Sequence, residues 1–239
     1  MKTCKSCNSE ITGNFCSNCG RKTVVKRIDG TYILHEIGSV LNFEKGILFT
    51  IKELTINPGK SIKTFIAEDR NRLVKPIIFL IITSLIYTIL SQFFKIEDGY
   101  VNFESTTESA TTAIFNWVQN NYGYANIIMG IFIVLWLKVF FRKYHYNFFE
   151  LLILLCFVMG MGMLIYALFG ILEGITSIKL MQISGIIGII YCTWSIGQFF
   201  DKRKKMSYLK AFIAYFLGMF TFSILAVALG LFIDFIVVK

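Results

Sequence analysis

The stretch Pro76–Phe94 reads PIIFLIITSLIYTILSQFF, nineteen residues without a charge, with Lys75 before it and Lys95 after it. As a helix it would be about 28 Å long, close to the ~30 Å hydrocarbon thickness of a bilayer. Four further apolar runs follow, at residues 125–141, 148–172, 180–200 and 211–233. Only 16% of the chain is charged, against about 25% in a soluble domain, and mean hydropathy is +0.63. These features predict an all-α integral membrane protein, a five-helix transmembrane bundle over residues 76–239. Residues Met1–Arg27 lack the apolar core of a cleavable signal peptide.

Charge sets the expected direction of the spans. With five spans, every Lys and Arg except Lys95, Lys179 and Lys239 falls on one side. The positive-inside rule then makes the N-terminus cytoplasmic and the C-terminus external. The net charge of +9 would suggest nucleic acid in a soluble protein. Here a basic cytoplasmic flank attracted to anionic lipid accounts for it better. The bilayer is thus the first expected partner.

Ahead of the spans, Cys4-x2-Cys7 and Cys16-x2-Cys19 form two pairs eight residues apart. Two such turns can present four thiolates to one metal ion, so residues 1–22 read as a zinc ribbon with Cys4, Cys7, Cys16 and Cys19 as ligands. Gly20 suits the end of the second turn. A segment this short cannot fold on an apolar core, so one structural zinc ion would supply the folding energy. Disulfides need an oxidising compartment, which the charge pattern argues against. An iron–sulfur site fits the ligands but has no evident electron partner.

Residues 23–75 predict cytoplasmic amphipathic helices. Ile33, Leu34, Ile37, Val40 and Leu41 share one helical face, and Ile47, Leu48, Ile51 and Leu54 share another. Asn57-Pro58-Gly59 then offers a helix cap and first residue, and Ile62, Phe65 and Ile66 mark a third short helix. These helices would lie on the membrane surface or against the span ends. Beyond the first span, Ile114, Phe115, Trp117 and Val118 suggest a short interfacial piece.

Within the spans no cluster of ionisable residues is visible. Glu150, Glu173 and Asp234 lie near span ends, which argues against an enzyme or proton pump. Polar stripes occur on the first span (Thr83, Ser84, Tyr87, Thr88, Ser91, Gln92) and the fourth (Thr193, Ser195, Gln198). They read as interhelical hydrogen bonds, with a hydrated path as the alternative. Gly170-x3-Gly174 and Ser184-x3-Gly188 read as close helix packing. Cys156, Met159 and Met163 share a face, with Cys192 in the next span; core filling explains them better than a copper site.

The order CKSC, FCSNCG, ILFTIKELTINPGKSIKTFI and DRNRLVKPIIFL resembles the bacterial membrane proteins of the domain of unknown function 3667 family. The motif positions that carry it are the four ribbon cysteines with Thr50, Pro58, Gly59, Arg70, Arg72 and Pro76. The resemblance covers roughly residues 4–80 and implies a zinc ribbon and an inner-membrane location, with no assigned activity. A more distant similarity is to five-span Yip-type membrane proteins, which implies an organising or adaptor role by topology. The expected function is a non-enzymatic adaptor, scaffold or regulator whose ribbon recruits a cytosolic protein; the alternative is a small-solute channel or transporter. Oligomeric state is not legible in the sequence.

Overall fold

A computed structural model describes residues 2–3, 7, 9–11, 18–19, 46–94, 109–176 and 178–237. The chain divides into two units, Met1–Leu41 and Asn42–Lys239. In the first, β1 (Lys2–Thr3) pairs antiparallel with β2 (Glu10–Ile11), Lys2 opposite Ile11 and Thr3 opposite Glu10. The ladder brackets residues 4–9, which in sequence hold the first cysteine pair. The predicted helix over residues 33–41 lies outside the described residues.

In the second unit, every regular element described is a helix. In chain order it comprises α1 (Ile47–Ile56), α2 (Pro58–Ala67), α3 (Pro76–Phe93), α4 (Ala110–Asn120), α5 (Tyr122–Phe140), α6 (Phe148–Thr176), α7 (Met181–Asp201) and α8 (Lys205–Val237). Helices α3, α5, α6, α7 and α8 are long and apolar enough to cross a membrane. The expected five spans are therefore present, with shifted ends. The second begins at Tyr122 rather than residue 125, and the third continues to Thr176. The fifth takes in Lys205 and Lys210, because a helix extends past the hydrocarbon wherever its backbone bonds stay internal. At 33 residues α8 is about 50 Å long, well beyond the bilayer core.

Helix α6 is the centre of the bundle. It packs on α3, α7 and α5, and 72% of its apolar window is buried in protein, against 17% for α8. Such burial needs close backbone approach. A Cβ on Gly160 of α6 would stand 2.8 Å from the Phe79 ring of α3, and one on Gly218 of α8 would stand 2.5 Å from Ile133 of α5. The small residues singled out in sequence also pack within this chain, Gly174 against Phe94 and Gly188 against Tyr166.

Helix starts follow local chemistry. The Asn147 side chain accepts from the Glu150 N–H at 2.8 Å, and the Glu150 carboxylate accepts from the Asn147 N–H at 2.8 Å, a reciprocal capping box opening α6. Before it the chain reverses through a single 3-10 turn, Arg142–Tyr144, and His145 at φ 56°. The carboxylates expected near span ends also cap helices. Glu173 accepts from the N–H groups of Leu180 and Met181 at 2.7 and 2.9 Å, and Asp234 accepts from Ala110 at 2.6 Å. Asp234 thereby fixes the start of α4 to α8, and the interfacial piece expected around Trp117 is this helix.

Candidate functional site

The α1–α2 hairpin is not a surface rider. Leu54 and Ile62 are fully buried, and the Phe65 ring meets Phe157 of α6 edge-on at 5.2 Å, with Phe79 of α3 tilted against the same ring. Of the two placements the amphipathic pattern allowed, packing against the span ends is the one observed. The reason is that α2 lays its apolar face on α7, and both hairpin helices also meet α6.

Polar groups fasten the hairpin at three points. Thr50 is fully buried; its hydroxyl donates to the Gly46 carbonyl at 3.1 Å and accepts from the Val74 N–H at 3.1 Å. One side chain thus ties the start of α1 to the strand of chain that enters α3. Glu53 forms the second point, its Oε2 accepting from Ser61 Oγ at 2.8 Å and from Arg72 Nη2 at 2.8 Å. Partial burial by itself would raise the Glu53 pKa, but the Ser61 and Arg72 hydrogen bonds, with the Arg72 and Lys52 charges, bring it below the ordinary carboxylate value. The Arg72 guanidinium also lies over the Phe49 ring, 6.0 Å from its centroid.

Gly59 is the third point. A Cβ there would fall 2.5–2.6 Å from backbone atoms of Gln198 and Phe199 in α7, so only glycine lets the start of α2 sit on that helix. Its N–H donates to Gln198 Oε1 at 2.9 Å. Pro58 occupies the first turn of α2, where its missing N–H costs nothing. Asn57 stands at the cap position as expected, yet its side chain makes no capping bond. Across the hairpin, Tyr191 of α7 donates to the Leu54 carbonyl at 2.9 Å, satisfying an acceptor in the last turn of α1.

Thr50, Pro58, Gly59, Arg72 and Pro76 are therefore positioned by packing, hydrogen bonding or helix initiation in one joint. Arg70 lies exposed in the turn after α2, where Asp69 accepts from the Asn71 N–H at 2.8 Å. Glu53, Ser61, Gln198 and Tyr191 complete the joint and were not singled out for it by sequence. Glu53 carried one signal, a carboxylate on a segment otherwise rich in Lys and Arg.

Of the ribbon ligands, Cys4 and Cys16 lie outside the described residues. Cys7 is half-buried with its Sγ 3.0 Å from Ser9 Oγ, and Cys19 is exposed. Among the described residues no group of three or more His, Cys, Asp or Glu side chains gathers to hold a metal ion.

Of the polar stripes on the spans, Gln198 makes the expected bond between helices, accepting from the Gly59 N–H, whereas the threonine hydroxyls do not. Thr83 donates to Phe79 and Leu80, Thr88 to Ser84, Ser91 to Thr88, and Thr193 to Ile189 and Ile190, each within its own helix. A hydroxyl one turn from a carbonyl finds that acceptor first. A bond between spans comes instead from Trp136 of α5, donating to Thr221 of α8 at 3.0 Å. Cys192 turns its thiol toward the Val158 carbonyl of α6 at 3.8 Å, while Cys156, Met159 and Met163 are buried in α6.

A bundle of five span-length apolar helices with a hairpin sealed into one end defines a multi-span helical membrane protein. Residues 44–88, from just before the hairpin to the middle of α3, match the family described as Protein of unknown function (DUF3667). That match bears out the family resemblance over Thr50, Pro58, Gly59, Arg70, Arg72 and Pro76; the four ribbon cysteines lie outside it. No curated protein and no solved structure matches the chain.

Proposed function

We propose that this protein is a non-enzymatic membrane adaptor, in which an N-terminal zinc ribbon recruits a cytosolic protein and the α1–α2 joint couples that ribbon to the bundle. The observation that carries the reading is how the family-matched stretch spends its polar groups. Thr50, Glu53, Arg72 and the Gly59 N–H are all engaged in holding helices together. Such a segment fits a mechanical joint better than a reactive site. The topology, similar to that of the five-span Yip-type proteins, agrees with this role by analogy alone.

Cys4, Cys7, Cys16 and Cys19 would hold the zinc, and the β1–β2 ladder around the first pair supports a hairpin-based ribbon. Four thiolates close the coordination sphere, so the ion would serve folding rather than chemistry. The basic end of the bundle, with Lys60, Arg72, Lys138, Arg142 and Lys202, supports placing the N-terminus in the cytoplasm of a bacterial inner membrane.

The test is crosslinking of the full chain in native membranes, followed by mass spectrometry. Partners captured by the natural chain and lost with the double change Cys4→Ser, Cys16→Ser are the expected result. A capture list unaffected by that change would remove the adaptor reading. A small-solute path remains the second reading, favoured by Ser84 Oγ and Asn126 Nδ2, which are buried and make no hydrogen bond among the described residues. Flux through reconstituted vesicles that a bulky residue at Ser84 or Thr88 abolishes would favour it.

A further inference from the structure

Between α2 and the turn from α7 to α8 lies an open cleft of 520 Å³. Four cations line it, Lys60 and Lys63 from α2 with Lys202 and Arg203 from the turn, against two carboxylates, Glu68 and Asp201. Asp201 is already engaged, by Lys204 at 2.9 Å and by the Arg203 N–H at 3.0 Å. None of the four cations has a carboxylate partner within salt-bridge distance among the described residues. Lys63 is half-buried, its ammonium 3.4 Å from the Phe200 carbonyl and 5.7 Å from the centroid of the Phe199 ring, so it still carries an uncompensated charge at the cleft.

The neutral lining is also rich in donors. Gln198 Oε1 is occupied by the Gly59 N–H, so the part of that side chain left to offer is its Nε2 amide. Thr64 adds a hydroxyl and Asn57, free of capping duty, an amide. Cations scattered over loops would satisfy the positive-inside rule equally well. Gathering four around one hollow adds mutual repulsion that a bound anion relieves.

We propose that this cleft binds a phosphate-bearing anion, either the headgroup of an anionic lipid or a free phosphate compound. The hollow is formed by the last residues of one span and the approach to the next, the level at which a headgroup would reach it. This assignment is independent of the ribbon and of any adaptor role.

The experiment uses the full chain purified in a neutral detergent, with bound phosphatidylglycerol and phosphatidylcholine counted by native mass spectrometry. Phosphatidylglycerol should bind in preference. The double change Lys60→Gln, Arg203→Gln should weaken it about 25-fold, at about fivefold per cation. Glu68→Gln should strengthen it, a gain that misfolding does not produce. The matched change Arg142→Gln, Lys143→Gln, removing the same charge from another exposed turn, should leave it within about twofold. Inorganic pyrophosphate supplies the other arm. If it binds with the same dependence on Lys60 and Arg203 and displaces the lipid, a soluble anion is the occupant; if it does not displace the lipid, the headgroup is. Equal losses in both double variants, or no loss in the cleft variant, would overturn the site.

Discussion

At the scale of single residues, Thr50 and Glu53 show how a joint is made without a large interface. Thr50→Val keeps the shape but leaves the half-buried Val74 N–H without its acceptor, at a cost of about 1 kcal/mol. Thermal unfolding in detergent should therefore separate Thr50→Val from Thr50→Ser, with the serine chain close to the natural one. Glu53 makes a prediction in pH. Its folded pKa lies below the unfolded value, so its contribution is complete above the ordinary carboxylate range and is lost as pH falls through the lowered folded value. Because the pair with Arg72 is partly exposed, that contribution is no more than about 1 kcal/mol. Stability measured against pH should show a shallower acid limb in Glu53→Gln. An acid limb identical to the natural chain's would mean that Glu53 does not titrate in this way.

At the scale of elements, two contacts set how the helices dock. Gly59 allows α2 to approach the α7 backbone, and Gly59→Ala would force the hairpin outward, with an expected loss of about 1–3 kcal/mol. The same shift should expose the Lys52–Glu53 peptide bond to a protease added to purified protein, a readout specific to hairpin displacement. The capping box of Asn147 and Glu150 starts the most buried span. Asn147→Ala should cost about 0.5–2 kcal/mol and Asn147→Asp much less, as followed by melting temperature. Both hairpin helices were legible in sequence from their apolar spacing and from Pro58. The use of Gln198 as the docking partner was not, because it stands 139 residues away and is one of several polar positions on its span.

For the whole molecule, the alternation of α3, α5, α6, α7 and α8 joins the starts of three spans and the ends of two at a single basic face. Aromatic contacts close that face, Phe141 stacking on Phe200 at 3.7 Å and Tyr146 meeting Phe199 at 4.8 Å. If the positive-inside rule governs insertion, reporters fused at Lys204 and at Lys239 should read opposite compartments. The same compartment for both would refute a five-span path. The proposed ribbon adds a prediction in metal content: if its four thiolates hold one zinc, purified protein should carry about one zinc per chain and Cys16→Ser should lower it.

The uncharged run Pro76–Phe94 determined by itself that the chain meets a bilayer, because a run of that length without charge is too costly to leave in water. Apolar periodicity likewise determined the number of spans and the presence of the hairpin, since both are properties of neighbouring residues. What only the tertiary structure decided is which polar groups meet. The hydroxyl stripes closed on their own helices, Trp136 reached Thr221, and Thr50, Glu53 and Gly59 found partners in other elements. Those pairings depend on the angle and register at which helices pack, and hydrophobic spacing is blind to both. The first span thus acquires its second role from the fold: it is the element into which the hairpin hands the chain, through Thr50 and Val74, at Pro76.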